Sequence, residues 1–227
     1  AADSVDFEEA DITATGGALS GFSGSGSTYS VIFTPDDAST TPGQISVAAD
    51  KFQDADTNKN LAGALATAIT IDTVAPTTTI DDPSPASVGI GETSTISITL
   101  GKPSADFAIG DIAVAGGTLG DFVAVSSTVY TVVFTPDADS TTNGTINVPA
   151  GVFTDAAGND NAAATEKTIT VDTVAPTVIV TSSAASVSST DSNPTISFTL
   201  SEASSDFVES DVVVTGGTLV ASSWDAT

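Results

Sequence analysis

The chain has 227 residues, 29 acidic against 4 basic ones, no His and no Cys, for a formal net charge of -25. Nothing in it neutralises phosphates, so nucleic acid is excluded as a partner, and the missing His and Cys remove Ser-His-Asp, Cys-His and zinc constellations together. A hydrophobic fraction of 40% with regular Val, Ile and Phe alternation still specifies a folded chain, whose acidic surface needs solvent, salt or cations to offset its self-repulsion.

In chain order, the first motif is DFEEADITATGGALSGF from Asp6. It returns as DFAIGDIAVAGGTLGDF from Asp106 and DFVESDVVVTGGTL from Asp206, a constant spacing of 100. STYSVIFTPDDASTT at 27–41 matches STVYTVVFTPDADSTT at 127–142, and AADKFQDADTNKN at 48–60 meets PAGVFTDAAGNDN at 149–161. The stretch NLAGALATA at 60–68 admits a helix on propensity, although its counterpart NAAATEKT does not favour one. Both copies run into one phrase, AITIDTVAPT at 68–77 and TITVDTVAPT at 168–177. Its Pro ends a strand and biases Ala75 and Ala175 to extended geometry, which marks a joint rather than an active site.

These repeats divide the chain into a partial copy at 1–77, a complete one at 78–177 and a partial one at 178–227. The first lacks a counterpart of STISITLGKP (94–103) and the third stops short of its closing strands, so the chain reads as a window cut from a longer array. No run approaches the roughly 18 apolar residues that span a bilayer, and no basic-then-apolar leader opens the chain.

Within the complete copy, apolar residues alternate at Ile96, Ile98 and Leu100; Ile112 and Val114; Tyr130, Val132 and Phe134; Ile146 and Val148; Ile169 and Val171. With strands at 77–80 and 118–125 these predict an all-β fold, a seven-stranded Greek-key sandwich of the immunoglobulin class in each repeat of about 100 residues. An odd strand number sends the chain in at one pole and out at the other, so successive domains are expected end to end. Strand direction then places the 101–111 and 154–163 loops beside the phrase at 72–77. The 81–93 and 136–143 loops fall beside 172–177.

TISFTLSEASSDFVESDVVVTGGTL at 195–219, with VYTVVFTPDADS, GVFTDAAGNDN and TITVDTVAPT, resembles the bacterial Ig-like repeats of giant secreted adhesins and related RTX-type surface proteins. The resemblance covers essentially the whole chain. It implies an extracellular, many-fold repeated, commonly calcium-binding protein, exported by type I secretion through a distant C-terminal signal. The middle copy departs from it by carrying Gly101, Lys102 and Pro103 where the third has Ser201, Glu202 and Ala203.

The predicted loop placement brings carboxylates together at each joint. Asp72 is expected near Asp106, Asp111, Asp155, Asn159 and Asp160, with Asp36 and Asp37 arriving from behind. Asp172 is expected near Asp206 and Asp211, with Asp137 and Asp139. A hard divalent ion bound by six to eight oxygens would reverse the repulsion, and calcium suits such irregular shells. The sharpest local signal is Asp54, Asp56, Asn58 and Asn60 at alternate positions, echoed by Asp155, Asn159 and Asn161. Leu65 and Lys59 stand where an EF-hand needs Glu and Gly, so this is a calcium-compatible turn and not an EF-hand. The competing reading makes these residues Asx-turn formers, and Asp106 and Asp111 turn caps.

The expected function is a structural stalk segment of a bacterial cell-surface adhesin, not an enzyme, with calcium-stiffened joints. Its partners would be neighbouring repeats of the same chain. Two alternatives stand beside it: a fibre in which the third copy of a neighbour supplies the strands absent from the first, and a carbohydrate- or surface-binding module in which Trp224 stacks on a sugar. Asn143-Gly-Thr fits a glycosylation acceptor by pattern and a turn by composition.

Overall fold

The computed structural model describes residue 4, residues 6–190 and residues 193–220. It divides into two compact units, Ala1–Thr173 and Val174–Thr227. Among the described residues only three single-turn 3-10 helices interrupt an otherwise all-β chain, as predicted.

In the first repeat, β1 (Ile12–Thr15), β2 (Gly17–Ser25), β3 (Thr28–Pro35), β4 (Gln44–Val47) and β5 (Gly63–Ala64) form a sheet β1-β4-β5 and a separate β2-β3 hairpin. The 60–68 stretch is extended rather than helical. Gly63 and Ala64 pair with β4, and the Leu65 N–H donates to the Ile45 carbonyl, so tertiary pairing overrides the local Ala and Leu preference.

The second repeat contains β6 (Thr78–Ile80), β7 (Ser87–Val88), β8 (Ser94–Leu100), β9 (Ala113–Ala115), β10 (Gly117–Ala124), β11 (Val129–Pro136), β12 (Gly144–Asn147) and β13 (Lys167–Val171). They make two four-stranded sheets, β10-β11-β8-β6 and β7-β13-β12-β9. The strand beyond the seven predicted is β7, which exists because the first strand changes sheets: β6 pairs antiparallel with β8, and β7 pairs parallel with β13. The parallel pair means that the arriving and departing segments point the same way, so the repeat is entered at one pole and left at the other. This is the immunoglobulin strand order with a switched first strand.

The period-two pattern becomes the core except at Val114, which lies exposed on β9. Ile96, Ile98, Val132, Phe134, Ile146, Val148 and Ile169 are wholly excluded from solvent between the two sheets. The register sets Val132 opposite Ile96 and Tyr130 opposite Ile98. The recurrent Asp-Phe supplies the aromatic centre. Phe107 packs against Phe122, Tyr130 and Phe153 with ring centroids 4.9–5.9 Å apart, and Phe7 repeats this against Phe22, Tyr29 and Phe52 at 4.8–5.5 Å. The Gly-Gly pair is also explained by packing: Gly116 turns at φ +71°, and a Cβ on Gly117 would lie 2.6 Å from the Phe134 ring.

In the Val174–Thr227 unit, β14 (Val178–Ser182) and β15 (Ile196–Leu200) pair antiparallel from Val178 against Leu200 to Ser182 against Ile196. Phe198 and Phe207 meet edge to face at 5.6 Å, repeating the aromatic centre with the strands at hand.

Candidate functional site

The repeated phrase is bonded on both sides. Toward the first repeat, the Thr73 hydroxyl donates to the Asp36 carbonyl at 2.7 Å and accepts from the Ser39 N–H at 2.9 Å, while the Thr73 N–H donates to the Ser39 carbonyl. Toward the second, Gly101 N–H donates to Thr77 O, Ala162 N–H to Pro76 O, and the Asn159 amide to Asp72 O at 3.1 Å. Pro76 is fully buried. The phrase at 172–177 begins the same way: Thr173 donates to Asp137 O at 2.7 Å and accepts from Ser140 N–H at 2.9 Å. Thr73, Thr173, Ser39 and Ser140 were not singled out from the sequence. Their signal was present in the recurrence of both the Ser and the Thr in the two copies, across a one-residue gap, but hydroxyls on a β-rich chain look like strand residues.

At the centre of the 72–77 joint stands Lys102. Its Nζ donates to Asp72 Oδ1 at 2.7 Å and Oδ2 at 2.9 Å, to Val74 O at 2.6 Å and to Asp155 Oδ2 at 2.7 Å. The Asp155 side chain is only 2% exposed, against 26% for Lys102 and 34% for Asp72. Burial pushes the Asp155 carboxyl upward, but the Asn159 amide, the Lys102 ammonium and the N–H groups of Asn159 and Ala157 outweigh it and hold it well below the usual carboxylate range. The hydrogen bonds to Asp155 and then Asp72 raise the Lys102 ammonium above its ordinary value.

The predicted ligands of this joint converge only in part. Asp72, Asp155 and Asn159 do meet, as the loop placement required. Asp106 is engaged elsewhere, accepting from Ser104 Oγ at 2.5 Å, Thr154 N–H at 3.1 Å and Thr154 Oγ1 at 3.0 Å, and the Ser104 hydroxyl leads in holding its carboxyl low. Asp111 caps its 3-10 turn by accepting from Ala108 N–H at 2.7 Å; Asp211 does the same for Val208, and Asp206 accepts from Ser204. Asp160 is exposed and lies in an isolated backbone bridge with Thr154. Asp172 is exposed, and its N–H donates to Val88 O.

The two acidic loops are Asx turns. Asp155 Oδ1 accepts from the N–H groups of Ala157 and Asn159 at 2.9 and 3.0 Å, and Asp54 Oδ1 accepts from those of Asp56 and Asn58 at 2.9 Å each. The Asn58 side chain, then its N–H, lowers the Asp54 carboxyl. Asn60 and Asn161 turn away from any common centre and bind the loop base. Asn161 accepts from Val152 and Phe153 N–H and donates to the carbonyls of Pro149 and Ala162, and Asn60 repeats this with Lys51, Phe52, Ala48 and Leu61. The alternate positions therefore do not form one shell. Asp56 is exposed.

Among the described residues no group of three or more Asp, Glu, His or Cys side chains is placed to hold a metal ion. At the joint, Asp72 and Asp155 do not fit calcium while an ammonium lies between them. Trp224 lies outside the described residues.

A sequence profile of the bacterial Ig-like domain matches residues 2–71, 72–171 and 172–227, which is nearly the whole chain in three consecutive segments. The chain belongs to the bacterial Ig-like domain family. Ig-like domains of this kind are typically surface or extracellular structural modules without catalytic activity. No curated protein and no solved structure was found to match the chain. The profile places the Asp-Thr-Val-Ala-Pro-Thr phrase at the start of the second and third matched segments, six residues ahead of the division after Thr77, and in the second the bonds to Gly101, Lys102, Asn159 and Ala162 agree with that assignment.

Proposed function

We propose that these Ig-like domains form a load-bearing extender segment of a bacterial cell-surface protein, an adhesin stalk whose working parts are its joints. The observation that carries this reading is the 72–77 joint, hydrogen-bonded to the repeat before it and to the repeat after it, in a domain that the chain enters and leaves at opposite poles. A sandwich of this kind adds roughly 40 Å along the chain if its strands run lengthwise. Calcium belongs to this proposal through the surface: 29 acidic groups against 4 basic ones repel one another, and a divalent cation lowers that repulsion.

Small-angle scattering and thermal melting in excess chelator and in millimolar calcium test it. An extended particle that melts higher in calcium is expected. Identical curves would remove calcium from the proposal, and a compact particle in both conditions would remove the stalk. A second reading, a self-assembling fibre, draws on the third repeat, whose β14–β15 pair corresponds to β6 and β8, of which β8 flanks β11 in the second repeat and has no counterpart beside β3 among the described residues. A particle size independent of concentration would end that reading.

A further inference from the structure

The four oxygens around Lys102 Nζ come from both carboxylate oxygens of Asp72, the Val74 carbonyl and Asp155, at 2.6–2.9 Å. Two of these residues belong to the joint and one to the 155–161 loop of the second repeat. An isolated pair of carboxylates so close, one of them buried, would repel strongly and destabilise both segments. Lys102 is placed for the task by its neighbours. Gly101 donates its N–H to Thr77 O at 2.8 Å, and a Cβ there would collide with the Thr77 hydroxyl, so the chain at 101 lies directly against the joint. Pro103 then fixes the backbone on the other side of Lys102. From this position the side chain, mostly covered, reaches back across the joint.

We propose that Lys102 is the resident cation of the 72–77 joint, so that this joint is held closed by the chain's own ammonium and needs no metal ion. It departs from the expectation of calcium at every joint and stands independently of calcium's effect on the acidic surface. The charge sign is the variable that the repeats change. The third repeat carries Glu202 at the corresponding position, a change of two charge units, between Ser201 and Ala203 in place of Gly101 and Pro103. Placing that residue in the second repeat, as Lys102→Glu, would set a third carboxylate among Asp72 and Asp155 and convert the joint into one that closes only around an added divalent ion.

Amide hydrogen exchange on the full chain, followed by mass spectrometry at segments containing 72–77, 101 and 162, reads the joint directly. Amides of β8 and β11 report whether the domain itself is intact. In the unaltered chain, protection of Thr73, Gly101 and Ala162 is expected to be the same in excess chelator and in millimolar calcium. Lys102→Met, which keeps the stem and removes the charge, is expected to lose at least about tenfold in protection at these amides with β8 and β11 unchanged; for an opening equilibrium that corresponds to about 1.4 kcal/mol. Lys102→Glu should lose protection in chelator and regain it in calcium. A calcium-dependent rise in protection at 72–77 of the unaltered chain would overturn the proposal, and that measurement needs no variant to fold. Unchanged exchange in Lys102→Met would overturn it too. A chain whose Tm ignores calcium while Lys102→Met opens the joint would remove calcium from the function proposed above and leave Lys102 in place.

Discussion

The first and second repeats carry nearly the same phrases, yet only the second closes a core. Phe134, Val132 and Ile146 are wholly excluded from solvent, whereas Phe33, Val31 and Ile45 at the matching places are only half-buried. The difference is one strand's company. β11 is flanked by β10 and β8, while β3 pairs only with β2 among the described residues, so the same alternating side chains face a second sheet in one case and an uncovered edge in the other. Local elements survive this loss: the Phe7 aromatic cluster, the 3-10 cap and the Asx turn at Asp54 match their counterparts in the complete repeat. Local patterning thus writes the parts, and burial of the sheet faces decides whether they hold one another.

The comparison is tested hardest at its centre. Phe134→Ala should cost about 3–5 kcal/mol in urea unfolding of the second repeat, the range for emptying a packed aromatic site. Phe33→Ala should cost less than half as much, and equal losses would show that the first repeat is as closed as the second. Next in size is Asn161→Ala, a buried side chain whose loss strips the bonds of two backbone N–H groups at the base of the 155–161 loop; about 2–4 kcal/mol is expected. Asn60→Ala removes the same bonds where water can replace them, and the difference between the two variants measures how far the second core seals its loops.

Gly144→Ala should follow at about 1–3 kcal/mol, because its Cβ would collide with the enclosed Phe134 ring. Gly43→Ala meets Phe33 at 2.9 Å, but that ring has an open side to move into, so a smaller loss is expected.

The smallest effect is in pH. A carboxyl held below its unfolded value contributes stability that is complete above about 3.8 and is lost as pH falls through that value toward the folded one. Asp155 should therefore steepen the acid limb of the second repeat's stability, and Asp155→Asn should flatten it. Lys102, raised in the fold, contributes fully below its ordinary 10.5 and loses that contribution as pH rises through the folded value, so the same joint loosens at both extremes. Asp54, lowered in the same direction but without an ammonium partner, should give a shallower acid limb in the first repeat.

Much of this was legible in the residues. Period-two alternation at Ile96, Ile98, Tyr130, Val132 and Phe134 named the buried face, because a strand has no other way to separate apolar from polar side chains. The repeat spacing marked the joints, and the odd strand number gave opposite poles, which the parallel β7–β13 pair reproduces. Strand direction and loop placement put Asp72 beside Asp155 and Asn159, and equally beside Asp106, Asp111 and Asp160, which the fold engages elsewhere or leaves exposed. The chemistry of the joint did not follow from them. Composition set a calcium-shaped expectation by counting carboxylates, and GKP in place of SEA read only as a departure from a resemblance.

What the sequence determined by itself is everything that depends on near neighbours: strand pattern, Asx turns, the Gly-Gly bend and the length of the repeat. What only the tertiary structure decided is which opposite charges meet. One Lys among 29 acidic residues has many possible partners along the chain, and its choice of Asp72 and Asp155, 30 and 53 positions away, is made by two loops and a joint brought together at one pole. Charge attraction is long-ranged and unspecific in sequence; the fold supplies the short distances at which it becomes a contact.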